Sequence, residues 1–309
     1  MNRYFRELSV AGTLAVLVAL LGMVSPQFFE PQPLLSRLTA QVPALVLTLG
    51  ITLVLLCRQI DISLGSQFGV CAVLAGSLLA GGTPLALALP TAAAAGAVMG
   101  ALNGFLVAAL RLPSIVVTLA TMVTWAEALR LLQQGRFINL PAGVQWLGLS
   151  QAAGQILLLT LSLLLVAVAA WLLKNSSGGR HLYAVGSDAE AARLAGINPH
   201  GTTFWVFVAA GALAGVAAVS NVVQSPQVDP KCGAGLELKA IAAAVVGGIA
   251  VHGGRGTLWG AFAGLLLLAT VNPALTFLHV QAYWEKAIQG LVILLAVVSK
   301  GIRSRRNAL

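Results

Sequence analysis

The chain has 309 residues, of which 58% are hydrophobic and 9% charged, with a formal net charge of +9. A soluble domain carries roughly 25% charged residues, so the composition excludes a soluble fold and points to an all-α integral membrane protein, a single domain over residues 1–309. The 18 Lys and Arg are scattered through loops without a basic stripe or interleaved aromatics, which argues against nucleic acid as a partner.

A helix crosses the bilayer in roughly 20 apolar residues. Arg3 and Arg6 precede an apolar run from Val10 to Val24 that no A-x-A cleavage site follows, so it reads as a retained first span at about 8–25 rather than a signal peptide. Further spans are expected at about 38–57, 64–81, 85–110, 114–133, 152–173, 202–223, 238–252, 257–278 and 284–299, about ten transmembrane helices. An eight- or nine-span count is the alternative. The spans at 64–81 and 238–252 are short and rich in small residues, so either is a candidate for a broken or partial crossing. The span at 85–110 carries Gly96, Gly100 and Gly104 four apart, a spacing that suits close helix packing. Spans 2–5 and 7–10 run in opposite senses, the arrangement of an inverted repeat.

Basic residues test this count. Arg3, Arg6, Arg58, Arg111, Lys174, Arg180, Arg193, Arg255 and the tail Lys300, Arg303, Arg305 and Arg306 fall on one side. They outnumber Arg37, Arg130, Arg136, Lys231, Lys239 and Lys286 on the other. The positive-inside rule makes the first side cytoplasmic, with both termini on it. The spans make the lipid membrane itself a partner.

The longest polar stretch, the loop at 174–201, lies on that cytoplasmic side. Within it Ser187 and Glu190 have the spacing of a capping box, Asp188 and Glu190 place negative charge in a first turn, and Gly196 fits a left-handed terminus. A charged helix between two spans belongs in water and is suited to touching a soluble partner. Asp188, Glu190, Ala191, Ala192, Arg193 and Gly196 are the expected coupling residues. The alternative is a helix that only connects spans.

Catalytic constellations are missing from the sequence. His181, His200, His252 and His279 are far apart, and there is no HExxH, no G-x-S-x-G and no phosphate loop with its Lys-Ser/Thr. No catalytic residue, cofactor or metal is expected, and the chain is not expected to hydrolyse ATP by itself. Gly247, Gly248 and Gly253-Gly254-Arg255-Gly256 read as a tight interhelical turn. Cys57, Cys71 and Cys232 have no CxxC or metal spacing, so a disulfide framework is not expected.

Four ordered segments carry a family resemblance. Arg58-Gln59-Ile60-Asp61-Ile62-Ser63-Leu64-Gly65-Ser66 resembles the G-I-D-L-S-V-G-S signature of ribose-type (simple sugar) ABC importer permeases. Leu102-Asn103-Gly104 followed by Leu112-Pro113-Ser114 and Thr118-Leu119 resembles their N-G…P-x-x-I-x-T-L stretch. Gly179-Arg180, Tyr183-Ala184-Val185-Gly186 and Ala191-Ala192-Arg193-Leu194-Ala195-Gly196-Ile197 are similar to their next loop, and the segment from Gly235 to Thr257 to their last signature. Glu190-Ala191-Ala192 and Gly196 also look like the EAA loop that importer permeases insert into an ATPase. The resemblance implies a place in the bacterial plasma (inner) membrane, a cytoplasmic ATP-binding cassette ATPase, a periplasmic or lipid-anchored substrate-binding protein, and a second permease, as a homodimer or a related heterodimer. Arg58 to Asp61, Cys71 to Leu74 and Tyr283-Trp284 look closest to permeases of autoinducer-2 import, with ribose- or rhamnose-class sugars as the wider set. One departure is Trp125-Ala126-Glu127 with Arg130, where relatives commonly have an aromatic and then Arg-Gly.

Polar residues inside the spans have two readings. Asp61, Asn103, Thr118, Trp125, Glu127 and Asn221 are candidates for a translocation path. Otherwise Asp61 caps the next helix with help from Ser63 and Ser66, the amides and Thr118 stitch helices together, and Glu127 pairs with Arg130 near an interface. A self-sufficient secondary transporter is the rival function. It needs a buried acid for a coupling ion, and only Asp61 and Glu127 qualify. Too few polar groups cluster in the spans to select one polyol from another, so specificity is expected mainly outside this chain.

Overall fold

The computed structural model describes residues 5–24 and 26–277, with Trp284, Ala287 and Gly290 beyond them on helical backbone. The expected span at about 284–299 otherwise lies outside the described residues, as does the basic tail. The described helices are α1 (Phe5–Val24), α2 (Pro31–Ala40), α3 (Val42–Leu56), α4 (Leu64–Ala80), α5 (Leu85–Ala108), α6 (Ser114–Gln133), α7 (Gln151–Asn175), α8 (Ser177–Ser187), α9 (Ala189–Leu194), α10 (Pro199–Val222), α11 (Leu236–Val246) and α12 (Leu258–Phe277). Two short strands, β1 (Ile138–Asn139) and β2 (Gln227–Val228), pair antiparallel with Ile138 opposite Val228.

Hydropathy and helix length agree for α5, α6, α7 and α10, and for α2 and α3 taken together as one 26-residue stretch. The expected span at 38–57 is thus the second part of a longer element. Gln41 breaks it, with Pro43 in the first turn of α3, where the missing N–H costs nothing. At 238–252 the structure has the partial crossing that the small-residue composition allowed. Its helix, α11, has 11 residues and rises about 16 Å, half of a hydrocarbon core of roughly 30 Å. It stops because Gly247 lies against the backbone of Gly260 in α12, and the chain from Gly248 to Gly256 turns instead.

Helix α3 is apolar all round and almost wholly buried, the pattern of a central helix. It packs between α10 and α11. The closest pairing in the bundle is α5 with α10. There Gly96 faces Gly211, Gly100 faces Phe207, and Gly215 faces Ala92, backbone against backbone. Small residues permit that approach, and dispersion between the backbones rewards it. The outer helices α5, α6 and α7 expose Val98, Phe105, Val116, Val123, Leu164 and Trp171, the apolar belt that lipid covers.

The bundle has two distinct ends. At one, Gly254 N donates to Leu56 O at 2.9 Å, and the Cys57 sulfur meets Thr203 Oγ1 at 3.7 Å. At the other lie β1 and β2, with Trp146 N donating to Val223 O at 2.7 Å. Between them, Gly65 at the start of α4 abuts Gly233 and the Glu237 carboxylate at the start of α11. Gly76, late in α4, touches Val228 and Ile138, whereas the turn after α11 reaches Leu56. The two short helices therefore start together at mid-depth and leave in opposite senses. The non-helical stretches that precede them, at 59–63 and 229–235, are buried or half-buried except at Lys231 and Ala234, and a bilayer tolerates irregular backbone where protein or a cavity surrounds it.

Candidate functional site

The polar segment after α7 folds into two short helices joined at a corner. Ser176 caps α8, accepting from Gly179 N at 3.0 Å. Leu182, Val185 and Gly186 turn inward, with Gly186 pressed on Leu56 O and the Tyr183 hydroxyl donating to Gly256 O at 2.8 Å. This packing fixes where the next helix emerges.

Helix α9 is capped at both ends, by a different residue at its start than the sequence spacing indicates. Asp188, with extended backbone, is the N-cap: its Oδ1 accepts from Glu190 N at 2.9 Å and Ala191 N at 3.0 Å. Ser187 closes α8 instead, so the capping box expected of Ser187 and Glu190 does not form. Glu190 turns to Arg193, which donates to it through Nε at 3.2 Å. That hydrogen bond, with the charge behind it, holds the Glu190 carboxyl below its ordinary value. At the far end Gly196 N donates to Arg193 O at 3.0 Å and Ile197 N to Ala192 O at 3.0 Å. With Gly196 at φ +82°, these are the two bonds of a Schellman termination.

Of the six expected coupling residues, the structure places Asp188, Glu190, Ala191, Arg193 and Gly196 at the surface and buries Ala192 as the anchor. Leu194 was missed. It is 79% exposed on a helix whose other outward side chains are polar or small. Its signal in the sequence was an apolar residue on the polar side of an amphipathic turn.

A cavity of about 360 Å³ opens beside α9, lined among others by Arg58, Arg111, Ala189, His200 and Thr203. Arg58 and Arg111 both sit in the left-handed region, at φ 63° and 55°, a conformation that costs a non-glycine residue energy and that concentrates at functional sites. Neither arginine has an ion-pair partner among the described residues. Arg58 and Asp61, three residues apart, do not pair.

The candidate path residues divide into two groups. Asp61 Oδ1 accepts from Ser63 N at 2.8 Å and Ser63 Oγ at 2.6 Å. Asn103 Nδ2 reaches the same Oγ at 2.8 Å from α5, and Ser66 Oγ donates to Ser63 O at 2.8 Å. Asp61 thus shapes the turn that leads into α4, whose N-cap is Ser63. Thr118 Oγ1 donates to Ile60 O at 3.3 Å and joins this group. Gln67, not singled out in the sequence, completes it, donating through Nε2 to Ser63 Oγ at 2.8 Å. Its signal was a lone amide one turn beyond Ser63 in an apolar helix. The other residues stand apart. Glu127 pairs with Arg130 at 3.3 Å, with both side chains more than half exposed. Trp125 is half-buried with no partner for Nε1, and Asn221 is half-buried near the β1–β2 end.

Residues 34–297 match the family described as "Branched-chain amino acid transport system / permease component". The chain is 38% identical over 297 residues to the autoinducer 2 import system permease protein LsrC of Enterobacter sp. (strain 638), covering 96% of this chain and 87% of that one. It is 36% identical to the protein of that name from Yersinia pseudotuberculosis serotype O:1b (strain IP 31758), covering 96% and 85%. To that from Salmonella typhi it is 35% identical, covering 96% and 86%. No solved structure matches the chain.

Proposed function

The chain belongs to the family of branched-chain amino acid transport system permease components, and from that premise we propose that it imports autoinducer 2 or a closely similar sugar-like molecule, driven by a separate ATPase. It is a transmembrane permease subunit of an ATP-binding cassette importer. The cargo assignment rests on the names its relatives carry. A binding protein outside the membrane delivers the cargo, and a second permease, of this chain or a relative, completes the pathway. The end of the bundle that carries α9, Arg58 and Arg111 faces the cytoplasm.

One observation carries the coupling assignment. Helix α9 is closed by caps at both ends, anchored by buried Ala192, and presents Glu190, Arg193 and Leu194 outward. An isolated helix of 6 residues is unstable in water, so its order comes from the caps and from α8 beneath it. An exposed leucine on such a rigid stub suits a cleft on a soluble partner. Arg58 and Arg111 beside it offer positive charge to acidic groups on that partner.

The test is transport in proteoliposomes holding the chain with its ATPase and binding protein. ATP-dependent accumulation of autoinducer 2 is expected, and Leu194→Asp should abolish it together with co-purification of the ATPase. The fold should be spared, because Leu194 touches none of the core. Full uptake by Leu194→Asp defeats the docking assignment, whereas accumulation of a different sugar by the wild type defeats only the cargo.

A further inference from the structure

We propose that the closed knot of polar side chains leading into α4 binds one monovalent cation of the sodium or potassium type. Asp61, Ser63, Gln67 and Asn103 are each at most 1% exposed. Ser63 Oγ lies 2.6 Å from Asp61 Oδ1, 2.8 Å from Gln67 Nε2 and 2.8 Å from Asn103 Nδ2. A serine hydroxyl has one proton and two lone pairs. Two oxygens 2.6 Å apart must share a proton, so the hydroxyl proton goes to the carboxylate. Both lone pairs are then left to accept the two amide NH2 groups. A single proton thereby fixes the orientation of both amides and turns both of their oxygens away.

The result is a cluster of acceptors without donors. Asp61 Oδ2, Gln67 Oε1 and Asn103 Oδ1 are all buried and have no hydrogen-bond partner. Buried polar atoms are nearly always paired, and three orphans of one kind, on side chains that meet at one hydroxyl, define what is missing. The occupant must bring positive charge or protons and nothing else. A water molecule supplies two protons for three acceptors, and its own lone pairs meet no donor. Protonation of Asp61 serves one amide oxygen and strands the other. A cation serves all three oxygens and supplies the counter-charge that Asp61 lacks among the described residues.

Charge and ligand type narrow the choice. Asp61 is the one carboxylate among the four side chains and balances one positive charge, which favours a monovalent over a divalent ion beside the positive end of the α4 dipole. Among the described residues no group of three or more His, Cys, Asp or Glu is placed to hold a metal. Carboxylate and amide oxygens suit a hard cation. Bound there, the ion ties the start of the short helix α4 to α5 through Asn103.

The measurement is the thermal unfolding midpoint of the full chain in lipid nanodiscs. NaCl or KCl replaces choline chloride at constant ionic strength. A saturable rise in midpoint is expected with at least one of the two metal salts. Asp61→Asn should abolish the rise, and Gln67→Met should shift its half-saturation to severalfold higher concentration. Equal midpoints in sodium, potassium and choline overturn the proposal, as does a rise that survives in Asp61→Asn. A midpoint that follows pH alone in choline, and loses that dependence in Asp61→Asn, assigns the position to a proton and also overturns it. If Asp61→Asn does not fold, the wild-type titration against Gln67→Met decides: identical curves refute a cation held by these oxygens.

Discussion

Asp188 and Glu190 are two residues apart, both acidic and both exposed, and they do different work. Asp188 satisfies two backbone N–H groups that α9 would otherwise leave open. Replacing an N-cap of this kind with alanine costs about 1 kcal/mol. In a helix of 6 residues that loss is enough to melt the element. Asp188→Ala should therefore raise amide hydrogen exchange across 189–197 several-fold without moving the unfolding midpoint of the bundle. Glu190→Gln breaks only a solvent-exposed pair with Arg193, and such pairs contribute little. It should leave exchange unchanged, so any loss of transport in that variant reports a contact with a partner. Equal exchange in wild type and Asp188→Ala would remove the capping role.

At the scale of elements, the α5–α10 crossing is the contact with least tolerance. A Cβ on Gly211 would strike the carbonyl of Gly96 and lie 2.9 Å from Gly100 Cα, so backbone, not a movable side chain, blocks it. Overpacking typically costs 1–3 kcal/mol, and opposed backbones put Gly211→Val at or above the top of that range. Gly12, with nothing within 4 Å of its Cβ position, is the matched control. Gly211→Val should drop the thermal midpoint in nanodiscs by several degrees or prevent recovery of folded protein, while Gly12→Ala should change neither. A normal midpoint for Gly211→Val would mean that the two helices do not meet there. Half of this crossing was legible, because Gly96, Gly100 and Gly104 are spaced four apart in one apolar run. Gly211 and Gly215 on the partner helix carry the same spacing, but nothing in one chain says which helix a glycine stripe faces.

The lengths of α4 and α11 show the same limit. Composition revealed that both were short, since small residues replace the bulky apolar ones that lipid contact favours. Hydropathy could not show that α11 ends at Val246, because the turn after it remains apolar through Val251. Its end is set by Gly247 meeting Gly260, a contact between segments and not a property of either. The capping box failed for a related reason. Ser187 and Asp188 each fit an N-cap, and α8 running unbroken to Ser187 left the role to Asp188. The Asp61 cluster was visible as separate polar residues, but its donor count needed Gln67 and Asn103 brought to one hydroxyl.

At the scale of the whole molecule, five of the described basic residues sort by end. Arg58 and Arg111 line the cavity beside α9, and Gly254, next to Arg255, is bonded to Leu56. Arg136 lies two residues before β1, and Lys231 three residues after β2. These five basic residues therefore fall into the two groups to which their hydropathy assigned them. Cytoplasmic basic residues dominate in membrane proteins, so the α9 end is expected inside and the β1–β2 end outside. Single cysteines test this in a chain whose Cys57, Cys71 and Cys232 are replaced by alanine. Gln134→Cys, at the exposed end of α6, should react with a membrane-impermeant maleimide added to intact cells. Leu194→Cys should stay unlabelled until the cells are permeabilised, then label fully because the side chain is 79% exposed. The opposite pattern would invert the protein and place α9 beyond reach of ATP. Labelling of both in intact cells would mean that the two positions share a face, which the separation of α9 from β1 and β2 by the full length of α7 and of α10 forbids.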